Sequence, residues 1–277
     1  MSINKNQNAS IKLTHNSSLT PNPRITELCG ELKLAYARQH WHELASDTEL
    51  THEQYLLELL ESEYDNRLSN GNNRRIKEAK FPYKKYLVDF DRTKYAPEFM
   101  PEFDELETLD FINKNENVIL LGTSGAGKTH YAIALGIAAC MAGETVFFAN
   151  VSNLVIELKE AMNSMQLSRF RKKFDRYSLV ILDELGYVSF DKSSAELLFS
   201  LISSRNDKGS IIVTSNLTFD RWEEVFHDPT LTAAAVDRLA HKGHILDISR
   251  EKKAVDLKKL WLGLITSHLR TFNHHLA

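Results

Sequence analysis

Apolar residues fall into two regimes along the chain. From 24 to 68 they recur at roughly helical spacing. Ile25, Leu28, Leu32, Leu34 and Ala35 come first, then Tyr55, Leu56, Leu59 and Leu60, with Thr51 a candidate N-cap just ahead of them. From 117 onward, short apolar runs alternate with helical stretches. Residues 118–121 read as a strand, 128–142 as a helix ended by Gly143, and 145–149 as a strand followed by a helix opened by Ser152. Residues 179–182 read as a buried strand, and Ser193-Ser194-Ala195-Glu196 as a capping box opening a helix through Ser204. Two more strands, 210–214 and 244–248, bracket a helix near 230–241. Such alternation predicts βαβ units and a parallel sheet. There is no internal repeat.

Between the two regimes the character changes. Segment 67–85 carries Arg67, Arg74, Arg75, Lys77, Lys80, Lys84 and Lys85 against one acid, Glu78. Pro82, Pro97 and Pro101 then make 81–101 read as a linker with short elements. The expected division is a loose polar tail over 1–23, a small helical N-terminal domain over 24–80 with a basic end, a linker over 81–105, and an α/β domain over 106–277.

Composition narrows the function classes. At 277 residues, 43% hydrophobic and 26% charged, the chain can bury an ordinary core. Its net charge of −3 means that any nucleic-acid contact comes from local patches. Cys29 and Cys140 lie far apart without metal-ligand spacing, which suits free thiols in a reducing compartment. His274-His275 is too little for a metal site. No apolar run reaches the roughly 18 residues of a membrane span, and the Asn/Ser/Thr-rich first residues lack a signal-peptide core. A soluble, cytoplasmic protein is expected.

The candidate chemistry begins at Gly122-Thr123-Ser124-Gly125-Ala126-Gly127-Lys128-Thr129, which matches GxxxxGK[ST]. The glycines let the backbone aim N–H groups at phosphate oxygens, and the following helix N-terminus favours the same charge. Lys128 suits the β- and γ-phosphates of ATP, and Thr129 offers a hydroxyl to Mg²⁺. The strand at 179–182 ends in Asp183 and Glu184, suited to holding Mg²⁺ and to polarising the attacking water. Asn216, in Thr214-Ser215-Asn216, is placed to orient that water or sense the γ-phosphate. Arg238 precedes the last strand, where an oligomeric ATPase carries an arginine finger and most proteins carry an ordinary surface arginine. Arg74, Arg75, Lys77, Lys80, Lys84 and Lys85, with Arg169, Arg171, Lys172 and Lys173, are either phosphate-backbone contacts or solvated helix faces.

Over about 25–248 these motifs resemble the IstB-like transposition helper ATPases, which belong with the DnaC and DnaA group of AAA+ P-loop proteins. The resemblance rests on the helical N-domain with its basic end, on Asn117–Gly122 leading into Gly127-Lys128-Thr129-His130, on Asp183-Glu184-Leu185-Gly186-Tyr187, on Thr214-Ser215-Asn216-Leu217, and on Asp237-Arg238-Leu239. It implies an α/β AAA+ fold with a five-stranded parallel sheet flanked by helices. It also implies ATP with Mg²⁺ as cofactors, ATP-dependent homo-oligomers, duplex DNA as a partner, and assistance to an integrase-type transposase. Position by position it implies phosphate contact at 122–130, Mg²⁺ at Thr129 and Asp183, and catalytic roles for Lys128, Glu184, Asn216 and Arg238 as finger. After the last strand, Ser249-Arg250-Glu251 departs from the family's Gly-Glu-Ser-Tyr-Arg, leaving Arg250 as a bare candidate second sensor.

Two functions share such a core: the transposition helper, and a DnaC-like replicative helicase loader. The basic end of the N-domain favours the helper. A small-molecule kinase is disfavoured, because Glu184 beside Asp183 would waste ATP on water.

Overall fold

The computed structural model describes residues 22–249, apart from residue 48. The tail up to residue 21, Arg250, His274 and His275 lie outside the described residues. The chain divides into two compact units, one up to Ser69 and one from Asn70 onward.

The first unit contains α1 (Pro23–Glu31), α2 (Ala35–Leu44) and the start of α3 (His52–Glu78). Thr51 and Gln54 cap α3 reciprocally, each side chain accepting the other's backbone N–H. Helix α2 has no cap from its own Leu34. Instead the buried Glu63 carboxylate, on α3, accepts the N–H groups of Ala35, Tyr36 and Ala37 at the positive end of the α2 dipole. Arg67 donates to Glu63 at 2.9 Å and to the Lys33 carbonyl at 2.7 Å. Burial pushes the Glu63 carboxyl up, but Arg67 and the backbone donors outweigh it and leave it below the ordinary glutamate range.

The second unit holds a five-stranded parallel sheet in the order β2-β3-β4-β1-β5: β1 (Asn117–Leu121), β2 (Val146–Asn150), β3 (Leu179–Leu185), β4 (Ser210–Ser215) and β5 (Gly243–Asp247). The strands are apolar on both faces because both faces are covered. Ile119, Val180 and Leu182 point to a core shared with α7 (Val151–Asn163), α9 (Lys192–Ser204) and α11 (Pro229–Ala240). Val118, Leu120 and Ile181 point to a second core with α6 (Lys128–Met141).

Segment 81–105 forms 3-10 turns at Leu87–Asp89, Arg92–Lys94 and Pro97–Phe99, then α4 (Met100–Glu107), with a short α5 (Asp110–Asn113) ahead of β1. Its aromatics enter the α6 core: Phe90 lies 4.6 Å from Tyr131 and Phe103 lies 5.0 Å from it. The Tyr95 hydroxyl donates to the Ala126 carbonyl at 2.7 Å.

Two helix starts differ from their expected caps. Asp191 opens α9 by accepting the Ser194 N–H, because a carboxylate three residues ahead reaches that amide as well as a serine would. Asn150 opens α7 by accepting the Ser152 N–H. After α8 (Leu167–Phe174), the buried Arg205 donates to the carbonyls of Phe174, Tyr177, Ser178 and Ser210 and lies 5.4 Å over the Phe174 ring. Burial pulls its guanidinium down to about 10, so it stays charged at neutral pH. It ties the ends of α8 and α9 to the starts of β3 and β4. Arg205→Ala should cost roughly 3–5 kcal/mol, since it strands buried carbonyls. A thermal melt should show this as a fall on the order of 10 °C.

Candidate functional site

Parallel strands gather their C-terminal ends on one edge of the sheet, and the loops there form the site. Loop 122–127 follows β1. Gly127 takes φ 96°, and a Cβ there would strike the Tyr95 hydroxyl. Glycine is therefore needed twice over, for the left-handed backbone and for the close approach. The loop ends at the N-terminus of α6, a fourteen-residue helix whose first amides face it.

Lys128 starts that helix and folds back over the loop, donating to the carbonyls of Gly122 at 2.6 Å and Thr123 at 2.9 Å. Burial lowers its pKa, and Asp183, Asp247 and Glu184 oppose the shift. Asp247, at the end of β5, is thus an acid of the site that no motif announced. Thr129 donates to Asp183 at 2.8 Å. Asp183 is buried, which pushes its carboxyl up against the pull of the hydroxyls of Thr214 and Thr129.

Glu184 is exposed and left-handed, with φ 63°, where the β3–β4 ladder shifts register between Leu182 and Leu185. Its carboxylate accepts from Asn150 Nδ2 at 2.6 Å. Asn150 therefore uses both ends of its amide, the oxygen on the α7 start and the nitrogen on Glu184. Its place at a strand end before a helix was the available sequence signal, and it signals only a cap.

Tyr83, Ser124, Lys128, Thr129, Glu184 and Asn216 line a cleft of about 270 Å³. Tyr83 was also absent from the motifs. His130 meets Phe90 edge-on at 5.5 Å, and burial lowers its pKa. The structure thus brings 122–130, Asp183, Glu184 and Asn216 to one place.

Arg238 lies elsewhere. Its carbonyl accepts from the side chain of Asn117, the first residue of β1, whereas Lys128 follows the far end of that strand. Five residues of strand span roughly 16 Å. The Arg238 guanidinium lies 4.9 Å over Phe199, donates to the Ala234 carbonyl, and lines a separate cleft with Asn117 and Arg205.

Of the basic candidates, Arg74, Lys77, Lys80, Lys84, Arg169, Lys172 and Lys173 are exposed, and Lys85 is partly so. Arg75 donates to the Cys140 carbonyl and Asn72, and Arg171 donates to Ser200, so these two are engaged inside the unit. The end of α3 and α8 flank the same edge strand. Ala79 accepts the Phe148 N–H of β2, and Phe147 packs on Phe174 of α8 at 5.9 Å.

A buried carboxylate paired with a hydroxyl beside a phosphate-binding loop is a hard-oxygen set suited to Mg²⁺, which takes one or two protein oxygens together with phosphates. Residues 28–259 match the family model described as IstB-like ATP binding protein. A Pseudomonas aeruginosa protein named as the ATP-binding protein of insertion sequence IS21 is 37% identical, over 87% of this chain and 92% of its own. A Geobacillus stearothermophilus counterpart named for IS5376 is 34% identical, over 86% and 96%. In fold, AMPPCP-bound DnaA of Aquifex aeolicus superposes with a TM-score of 0.51 at 18% identity, over 61% of this chain and 50% of that one. DnaI superposes with a TM-score of 0.51 at 16% identity, over 59% and 90%.

The role expected of Glu184, as base for the attacking water, has a direct test: Glu184→Gln should bind ATP with near-normal affinity and lose hydrolysis by roughly 10²–10⁴-fold. Steady-state phosphate release and equilibrium binding of a non-hydrolysable analogue separate the two effects, and wild-type turnover would refute the role.

Proposed function

As a member of the family of IstB-like ATP binding proteins, this chain is an AAA+ ATPase, and we propose that it is the ATP-driven helper of an insertion-sequence transposase. On this reading it assembles with ATP into homo-oligomers on duplex DNA in the cytoplasm and activates an integrase-type transposase. No helix among the described residues is long and apolar enough to cross a membrane.

The separation of Arg238 from Lys128 carries the oligomer part of the proposal. One chain offers a phosphate loop on one edge of its sheet and the candidate finger on the opposite edge. A finger that cannot reach its own γ-phosphate can serve a neighbour's, as arginine fingers supplied in trans do. Residues 122–130 then bind the phosphates, Thr129 and Asp183 hold Mg²⁺, and Glu184 and Asn216 place the water. Bound Mg²⁺ would supply positive charge against the β- and γ-phosphate oxygens. Asn150 keeps the Glu184 carboxylate engaged until the water needs it.

The basic edge formed by the end of α3 and by α8 supports the DNA part. Exposed lysines and arginines from segments distant in sequence flank the same border strand, β2, from its two faces, and such side chains meet phosphates rather than bases. An ATP-built oligomer repeats them along one duplex, which raises avidity without any new contact.

Arg238→Ala should keep nucleotide affinity and lose hydrolysis. Mixing it with Lys128→Ala subunits should restore part of the activity, since some interfaces then pair an intact loop with an intact finger. A mixture as inactive as its parents, under conditions of subunit exchange, sinks the in-trans assignment.

Replacing Arg74 and Lys77 with Gln should weaken binding to any labelled duplex. It should also flatten the slope of log affinity against log salt by roughly 2, about 0.9 per contact, while DNA-free turnover holds. Fluorescence anisotropy with and without a non-hydrolysable ATP analogue is the measurement. Absence of duplex binding at low salt would move the assignment to a helicase loader.

A further inference from the structure

Thr214-Ser215-Asn216 ends β4, and the candidate sensor Asn216 accounts for only the last of the three. Thr214 is fully buried. Its hydroxyl donates to Asp183 Oδ1 at 2.7 Å and accepts the backbone N–H of Glu184 at 2.9 Å. The β3–β4 pairing runs regularly to Leu182 opposite Val213 and resumes at Leu185 opposite Ser215, so Asp183 and Glu184 together face the single residue Thr214. At that bulge the Glu184 amide finds a side-chain acceptor in place of a ladder carbonyl. Ser215 closes the other end, its hydroxyl donating to the Leu185 carbonyl at 2.6 Å.

We infer that Thr214 is a positioning residue for ATP hydrolysis, one hydroxyl fixing both the Asp183 carboxylate and the backbone turn that aims Glu184. The donor side of the hydroxyl sets Asp183, and the acceptor side holds Glu184 at φ 63°, a conformation costly for a residue with a side chain. Of the two hydroxyls on Asp183 Oδ1, Thr129 is the candidate metal ligand, which leaves Thr214 as the lasting partner. Valine has nearly the same shape without the hydroxyl. It would leave a buried amide and a buried carboxylate oxygen short of partners, and the bulge would relax toward a geometry in which Glu184 misses the water. A misplacement of about 1 Å can cost on the order of 10²-fold in rate.

The inference rests on Asp183 and Glu184 being the hydrolytic acids; if they are not, Glu184→Gln alone will turn over normally, which keeps that failure distinguishable from this one. The test uses the full-length chain. Thr214→Val should lower kcat by roughly 10–100-fold while affinity for a fluorescent non-hydrolysable ATP analogue stays within about 3-fold, and Thr214→Ser should restore kcat to within about 3-fold of wild type. In a Glu184→Gln background, Thr214→Val should add almost no further loss, because both changes act through one group. Wild-type turnover by Thr214→Val overturns the inference. So does a parallel fall of affinity and kcat that serine does not rescue, which marks a merely structural residue, and so does full additivity with Glu184→Gln. Should Thr214→Val fail to fold by circular dichroism, Thr214→Ala against Thr214→Ser carries the same comparison with the same deciding outcomes.

Discussion

A carboxylate buried at the end of a strand is tolerable only when its oxygens are satisfied, and the active edge of this protein is organised around satisfying Asp183. Its partners come from different elements, Thr129 at the first turn of α6 and Thr214 at the end of β4. Those bonds hold the phosphate loop, β3 and β4 in mutual register. An unpaired buried charge would cost several kcal/mol, so the three segments are locked together by what each would lose in leaving. The left-handed turn at Glu184 follows from the same arrangement, because the amide freed by the bulge falls on the hydroxyl already bound to Asp183.

The parallel sheet then gives the unit two unlike edges. One holds the loops, hydroxyls and acids. The other holds Asn117, Arg205 and Arg238, cationic and rich in carbonyl clamps. The strands keep these two sets of groups a full strand length apart.

Much of this was legible in the sequence because it depends on spacing. A glycine-rich loop after an apolar run, two acids after another and a Thr-Ser-Asn after a third are local patterns, and the structure places them on one edge. What escaped depends on contacts distant in sequence. Asn150 looks like a cap and is one, but its second bond goes to Glu184 across 34 residues. Arg75 and Arg171 read as free cations, yet one closes the end of α6 and the other reaches Ser200. Arg205 has no local signature, since its carbonyl partners are defined only once α8, β3 and β4 have assembled. The prolines of 81–101 marked a linker with short elements, and three 3-10 turns lie there, but they carried no sign that Phe90 would be buried in the α6 core, which hydrophobic area decides.

The hydrogen bond from the Phe148 amide to the Ala79 carbonyl has a bearing on aggregation. Strand β2 is a border strand of the sheet, and a border strand with free amides is a template on which another chain can add a strand of its own. Here the chain leaving α3 occupies that position beside Phe148, and Lys80, left-handed at φ 61°, turns away at once and offers no continuing strand. At Phe148 the border is thereby closed by the protein's own polypeptide. A foreign strand approaching this border therefore meets, at Phe148, an amide already taken rather than one open to pairing.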